Sequence, residues 1–195
     1  MNNLVKVSYD KIAKEFSVTR VFTWKWTENF IDKLDQYSII LDLGCGNCRN
    51  MNDYSFGLDI SFEQLKYSNY NNKKIQGNML NIPFKDNIFD AIICIASFHH
   101  LDCFKDRIKC INEIHRVLKI NGTVLLSVWS IKQPIKTRRK FEKYGDTIVN
   151  WRNIPRYYYI FDKEELKNIL ETKFEIINYF YDCGNEIYEL KKWNF

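Results

Sequence analysis

No stretch of this 195-residue chain is apolar for long enough to cross a bilayer; its longest apolar runs, Asp90 to Ala96 and Thr123 to Trp129, fall far short of the roughly 20 residues a helical span needs. The first ten residues lack a basic start followed by an apolar stretch, so a secretory leader is not read and a reducing, cytoplasmic compartment is expected. In that setting the six cysteines are free thiols rather than a disulfide scaffold. Cys45 and Cys48 form a Cys-x-x-Cys, but Cys94, Cys103, Cys110 and Cys183 supply no second pair at zinc-ligand spacing, so no metal site is expected. Internal repeats and a low-complexity tail are missing. Large net charge is missing too: 29 Lys and Arg against 24 Asp and Glu leave +5, and 46% of the residues are hydrophobic. Such a chain is a soluble globular protein, long enough for one compact domain with a substantial core.

The charge is unevenly placed. Between Ile131 and Ile160 stand eight cations, Lys132, Lys136, Arg138, Arg139, Lys140, Lys143, Arg152 and Arg156, against Glu142 and Asp146, so this segment is net +6 and the rest of the chain is net −1. Interleaved with Trp151, Tyr157, Tyr158 and Tyr159, it suits phosphate attraction and base stacking; a solvated lysine-rich connection is the plainer reading.

Helical spacing of Tyr9, Ile12, Ala13 and Phe16, and again of Phe30, Ile31 and Leu34, predicts two helices within residues 1–36, joined around Ser17 to Trp24. Ser38 to Leu43 predicts a buried strand, Tyr54 to Ile60 a second, Phe62 to Tyr70 a helix, Lys73 to Gln76 a third strand and Phe89 to Ala96 a fourth. Cys103 to Leu118 has helical periodicity and stops at Asn121 and Gly122, after which Thr123 to Trp129 reads as a fifth strand. Asp162 caps a helix through Leu170, with Glu165 at the capping-box position. Phe174 to Tyr181 and Ile187 to Lys191 pair around Gly184. Alternating strands and helices predict an α/β sheet, which binds ligands beyond the carboxyl ends of its strands.

The informative residues stand at those ends. Asp42-Leu43-Gly44-Cys45-Gly46-Asn47-Cys48 follows the first strand, and Asp59 ends the second. Glycines let the backbone approach a ligand closely, and an acidic group after the second strand accepts hydrogen bonds from a ribose. Together with Gly57-Leu58-Asp59, Gly77-Asn78-Met79-Leu80-Asn81-Ile82-Pro83-Phe84, Phe89-Asp90 and the run from Glu113 to Gly122, this order resembles the class I S-adenosylmethionine-dependent methyltransferases over residues 38 to 130. The resemblance implies an α/β, Rossmann-like fold: a seven-stranded mostly parallel sheet with one antiparallel strand and helices on both faces. It also implies a single domain made of a helical cap (1–36), a cofactor-binding half (38–130), a basic substrate-binding segment (131–160) and a C-terminal helix and hairpin (161–195). Asp42, Gly44, Cys45, Gly46, Asp59, Asn78, Met79 and Ala96 would then bind S-adenosylmethionine, with Gly44 and Gly46 at the methionine moiety, Asp59 at the ribose, Asn78 and Met79 at the adenine, and Ala96 facing the sulfonium. Two positions depart from the family pattern: Cys48 stands where a third glycine is frequent, and Asn78 where an Asp is usual.

Outside that core the chain resembles the tRNA wobble-uridine methyltransferases that esterify the carboxylate of 5-carboxymethyluridine. The match lies in Tyr9 to Arg20 with Trp24, in Phe98-His99-His100-Leu101 with Asp106-Arg107, in Arg156 to Phe161, and in Tyr181 to Asn185, although Glu186 replaces a usual Trp. By that resemblance Arg20 and His100 serve the acceptor pocket as catalytic residues, while Arg107, Arg156, Tyr157 and Asn185 bind the substrate, the two arginines positioning the tRNA anticodon loop. A small zinc-binding activator subunit is implied as a partner. A carboxylate is ionised at neutral pH, so its attack on a sulfonium methyl needs alignment more than a base. The rival expectations are a small-molecule methyltransferase with an apolar acceptor pocket, and a non-catalytic tRNA-binding scaffold.

Overall fold

The computed structural model describes residues 3–70, 73–135 and 141–193. Seven strands form one sheet: β1 (Ile40–Leu43), β2 (Ser55–Asp59), β3 (Lys74–Gln76), β4 (Phe89–Ile95), β5 (Leu118–Trp129), β8 (Phe174–Asp182) and β9 (Asn185–Lys192), in the order β3-β2-β1-β4-β5-β9-β8. The pairings from β3 to β5 are parallel, and β9 runs antiparallel to both β5 and β8. A mostly parallel sheet with one antiparallel strand is thus present. Its strand order reverses between β1 and β4, the crevice where open α/β sheets hold ligands.

Strand alternation builds two cores. Leu41 and Leu43 of β1, with Ile92 and Cys94 of β4, pack against α4 (Phe104–Val117) and α5 (Lys163–Leu170) through Ile111, Ile114, Leu166 and Leu170. Ile40, Ala91, Ile93 and Leu125 point to the other face and meet Trp26 and Phe30 of α2 (Lys25–Ile31). Helix α1 (Asn3–Val18) and the short α3 (Phe62–Leu65) pack together above the strand ends, where Asp10 accepts a hydrogen bond from Ser61 Oγ at 2.6 Å.

Four details differ from the sequence reading. The third helix closes after four residues and β5 begins at Leu118, directly after α4, rather than at Thr123. Asp162 does cap α5, accepting from the Glu164 and Glu165 amides, but the Glu165 carboxylate accepts from the Tyr159 hydroxyl at 3.0 Å and faces Arg107 instead of returning to the cap. The fourth difference places the site: β6 (Gly145–Trp151) and β7 (Ile154–Ile160) make a two-stranded antiparallel hairpin inside the basic segment. Its turn is Arg152-Asn153, both at positive φ, the conformation that suits the right-handed twist of paired strands and that Asn tolerates. Lys136, Arg138, Arg139 and Lys140 of the basic run lie outside the described residues.

Candidate active site

A cavity of about 480 Å³ opens over the carboxyl ends of β1, β2 and β4, walled by α1, the loop from Thr19 to Trp24, and β7. Gly44, Cys45, Gly46, Asp59, Met79 and Ala96 line one end; His100, Trp129, Arg156 and Tyr158 line the other, and Arg20, Arg49 and Asn185 also face it. The glycine turn needs its glycines. Gly44 has φ +78, and a Cβ there would sit 2.2 Å from Ser97 Oγ. Cys48 adopts φ +62, so the position where the family favours glycine is indeed left-handed. Its thiol is buried and lies 3.5 Å from Cys45 Sγ, so the side chain is accommodated by the packing beneath the turn and kept out of the cavity.

Asp59 organises the turn. One carboxylate oxygen accepts from the Gly46 amide and the other from the Ser61 amide, each at 2.8 Å. Each oxygen keeps a second lone pair, enough for two ribose hydroxyls. Burial pushes the Asp59 carboxyl up to about 6, against the two amides, and Asp10 adds repulsion. Asp42 lies below the floor with both oxygens buried and lacking hydrogen-bond partners. Its carboxyl is pushed up to about 7 by desolvation, with Arg49 and Asn50 pulling the other way and Asp59 adding to the rise. Asp42, expected at the cofactor, thus lies beneath the wall rather than on it; a cavity of this size, with the Asp59 carboxylate on its wall and a backbone turn that admits close approach, fits a nucleoside carrying a cationic amino-acid tail, as S-adenosylmethionine does.

Asn78 does not follow its expected role. Its side-chain oxygen accepts from the Leu80 amide at 2.9 Å, closing a local turn that leaves Asn78 off the cavity wall; Gly77 and Met79 form the wall there. Two further expectations are corrected. Arg107 is buried outside the cavity, its Nε donating to the Leu101 carbonyl at 3.2 Å, its Nη1 3.5 Å from Glu165, and its guanidinium 3.4 Å from the centre of the Tyr159 ring. Tyr157 is also buried away from the cavity, with its hydroxyl donating to Asp146. Both side chains therefore tie β6, β7, α4 and α5 together rather than reaching a ligand. Arg107→Met should leave RNA binding unchanged in a filter assay and lower the unfolding free energy by roughly 1–3 kcal/mol in urea titration.

The far end of the cavity is an aromatic box. Trp129 and Tyr158 stack at 4.1 Å with an interplanar angle of 9°, and His99 and His100 pack against Tyr158. Both nitrogens of His100 are engaged: Nδ1 donates to the Tyr157 carbonyl at 2.7 Å, which fixes the tautomer, and Nε2 accepts from the Tyr9 hydroxyl at 2.9 Å. Burial pushes His100 down to about 4, the Tyr157 carbonyl opposing and Arg156 reinforcing, so the ring is neutral at physiological pH.

Arg156 sits in this box, 3% exposed, with its guanidinium 5.2 to 6.0 Å from the ring centres of Tyr9, Phe16, Trp129, Trp151 and Tyr158. Its Nε is buried with no hydrogen-bond partner. Arg20 lies nearer the rim, over the Phe16 and Trp151 rings and donating to the Thr19 carbonyl and hydroxyl. The two arginines thus exchange the depths that the sequence suggested. Arg49 was absent from the sequence reading altogether. It directly follows the glycine turn, and only its position one residue past Cys48 could have signalled it.

Known proteins agree with this architecture. The methyltransferase-domain family matches residues 41–126. The tRNA (carboxymethyluridine(34)-5-O)-methyltransferase of Schizosaccharomyces pombe is 31% identical over 94% of each chain; that of Arabidopsis thaliana is 38% identical over 64% of this chain, which spans 32% of the plant protein. In three dimensions the chain is similar to the complex of the Haloferax volcanii Trm112 methyltransferase activator and a putative methyltransferase, at TM-score 0.75, 15% identity and 98% coverage of both chains. An S-adenosylmethionine-dependent methyltransferase from Clostridium acetobutylicum superposes at TM-score 0.70 with 16% identity, covering 95% of this chain and 99% of that one. With a relative 31% identical along nearly its whole length, the chain belongs to the tRNA (carboxymethyluridine(34)-5-O)-methyltransferase family.

Proposed function

We propose that this protein methylates the carboxylate of 5-carboxymethyluridine at the tRNA wobble position, using S-adenosylmethionine. One observation carries the substrate assignment: a buried guanidinium, Arg156, stands at the acceptor end of the cavity among aromatic rings, with no anion beside it among the described residues. A cation removed from water without a partner is costly, and a ligand carboxylate supplies the missing charge with two parallel hydrogen bonds. An apolar acceptor would leave that cost uncompensated, which disfavours the small-molecule alternative. The open, continuous cavity disfavours a non-catalytic scaffold.

When bound, S-adenosylmethionine supplies an electrophilic methyl group on a sulfonium. The chain's own residues hold and align. Arg156 fixes the acceptor carboxylate. The stacked Trp129–Tyr158 pair gives the pyrimidine an apolar wall. His100, neutral and doubly hydrogen-bonded, takes no proton from the substrate; it positions the Tyr9 hydroxyl, which also lies 3.3 Å from the Tyr158 hydroxyl. A carboxylate needs no general base, so alignment, worth roughly 7–11 kcal/mol in favourable systems, is the main contribution. Arg20, with exposed Phe22, rims the entrance and suits the phosphates and bases of an anticodon loop. Asn185 closes the cavity beside them. A small zinc-binding activator is the proposed partner, and the open edge strand β3, which pairs only with β2 among the described residues, gives it a place to dock.

The test is mass spectrometry of nucleosides from tRNA bearing 5-carboxymethyluridine after incubation with the purified protein, its activator and methyl-labelled S-adenosylmethionine. The expected product is a labelled methyl ester on uridine, formed at a rate that falls at least tenfold between 50 and 200 mM salt at subsaturating tRNA. Labelled cofactor turnover with no ester on uridine would remove the substrate assignment.

A further inference from the structure

Methyl transfer gives the Cys45-x-x-Cys48 pair no task, yet the fold brings its two sulfurs together. The Cys48 amide donates to the Cys45 carbonyl at 2.8 Å, closing a four-residue turn, and Cys48 takes a left-handed φ of +62. Such a turn holds its end Cα atoms within about 7 Å, close to the roughly 4.4–6.8 Å that a disulfide spans. The side chains converge: Cys48 Sγ lies 3.5 Å from Cys45 Sγ. Both sulfurs rest over Gly57 of β2, where a Cβ would stand 2.8 Å from Cys45 Sγ and 3.1 Å from Cys48 Sγ, so a glycine on the neighbouring strand makes their room. Met51, Leu65 and Tyr70 complete a small apolar cluster around them. Cys45 also lines the cavity, which gives a small solute a path to its sulfur, while Cys48 lies beneath. Once ionised, Cys48 accepts from the Cys45 thiol, which holds it below the usual thiol range; burial opposes this, Ser68 assists, and Asp42 and Asp59 oppose it. Burial holds Cys45 above that range.

We propose that Cys45 and Cys48 are an oxidisable dithiol, a modification site that a peroxide closes into a disulfide within the turn and that thiols reopen, and that closure weakens methyl-donor binding. The site stands on the sulfur geometry; its effect on the donor rests on the cofactor reading of the cavity. In the first step an electron pair of Cys45 Sγ attacks one peroxide oxygen, the O–O bond breaks, and the departing hydroxide takes the thiol proton as water, leaving a sulfenic acid. Cys48 Sγ, as thiolate, then attacks that sulfur; the S–O bond breaks, and the hydroxide takes up the proton that Cys48 released, giving a second water. Two thiols and one peroxide thus become one disulfide and two waters. The sulfurs must close from 3.5 Å to about 2.05 Å. Gly46 lies between the two cysteines, and its amide donates to Asp59 at 2.8 Å. Drawing the ends of the turn together shifts that amide and the part of the cavity wall that Cys45 forms. In a reducing compartment such a disulfide is transient, which suits a sensor rather than a structural staple.

The purified protein, fully reduced and then exposed to a few equivalents of hydrogen peroxide, tests this by peptide mass spectrometry and by calorimetry with S-adenosylmethionine. Cleavage after Lys33 and Arg49 leaves both cysteines in one peptide, which should lose two hydrogens and resist alkylation until dithiothreitol is added. The oxidised protein should bind S-adenosylmethionine about tenfold more weakly, the size expected when a hydrogen bond to a charged group is strained, and dithiothreitol should restore the affinity. Cys48→Gly supplies the residue that a left-handed position favours, and should bind like reduced wild type both before and after peroxide. Cys48→Ser keeps a side chain of similar size and should behave the same way. A bridge from Cys45 to Cys183, which also lines the cavity, or oxidation confined to exposed Cys103 and Cys183, would overturn the site. Unchanged affinity in the bridged protein, or an equal loss in peroxide-treated Cys48→Gly, would overturn its effect on the donor. If reduced wild type does not bind S-adenosylmethionine, the cofactor reading fails and that effect with it, while the mass of the peptide still decides the site.

Discussion

Arg156→Met is expected to lower kcat/KM for carboxymethyluridine-containing tRNA by about 10²- to 10³-fold, while calorimetric affinity for S-adenosylmethionine stays within twofold. The magnitude follows from what is removed: an Arg–carboxylate contact in a site screened from water by five aromatic rings, where losing one partner of a buried charge pair costs roughly 3–5 kcal/mol. Stability should move the other way. In the ligand-free protein Arg156 is 3% exposed with Nε unpaired, so its burial opposes folding, whereas Met fills the same aromatic box without that penalty. The variant's melting temperature should equal or exceed that of wild type. Arg156→Lys keeps the charge but loses the planar fork, and should recover only part of the rate. If Arg156→Met turned over at the wild-type rate, Arg156 would not hold the acceptor; if it lost rate only by unfolding, Arg156 would be structural.

The strands and the cofactor turn were legible because their signals are local. Ile39 to Leu43 is a β-branched and apolar run that ends in a glycine turn, and Asp59 closes a second run of the same kind. Both patterns depend on burial in a parallel sheet, which leaves little freedom in composition. The β6–β7 hairpin was also written in the sequence, as outward Asp146, Ile148 and Asn150 alternating with inward Thr147, Val149 and Trp151 and followed by Asn153, but the density of positive charge drew attention from that period of two. The roles of the arginines were not legible at all. Arg107, Arg156 and Arg20 are one residue type with three environments: an ion pair with Glu165, an aromatic box without an anion, and a half-open rim. Long side chains are placed by tertiary packing, and neither composition nor spacing reports which of them has lost its partner. Asn78 shows the same limit from the other side. An Asn two residues before a free amide closes its own turn, and that local bond accompanies a side chain held off the cavity wall.

Asp59→Asn should weaken S-adenosylmethionine binding by about 10²- to 10⁴-fold, because the carboxylate holds two backbone amides and, in the cofactor site we propose, the ribose as well, and hydrogen bonds to a charged group are worth roughly 1.5–3 kcal/mol each. An amide side chain also presents a donor to a backbone donor, Gly46 N–H or Ser61 N–H, and so loosens the turn itself. The pH dependence separates charge from shape. Because burial raises Asp59 to about 6 and Asp42 to about 7, the folded protein holds protons that the unfolded chain releases near pH 4. The two groups therefore favour the fold most strongly at about pH 4 and below, and that contribution is lost as pH rises through 6 and 7. A cationic ligand reverses this cost by stabilising the ionised carboxylates, so binding releases protons and affinity should rise toward neutrality, by at most about tenfold per pH unit for each proton released. In wild type, calorimetry should find the dissociation constant falling from pH 5 to pH 7, with proton release visible as buffer-dependent heats. The ligand's increment in melting temperature should grow over the same range. Asp59→Asn should flatten the part of that slope centred near pH 6 and leave the part near pH 7 that belongs to Asp42. A wild-type affinity independent of pH between 5 and 7 would mean that neither carboxylate meets the donor's positive charge.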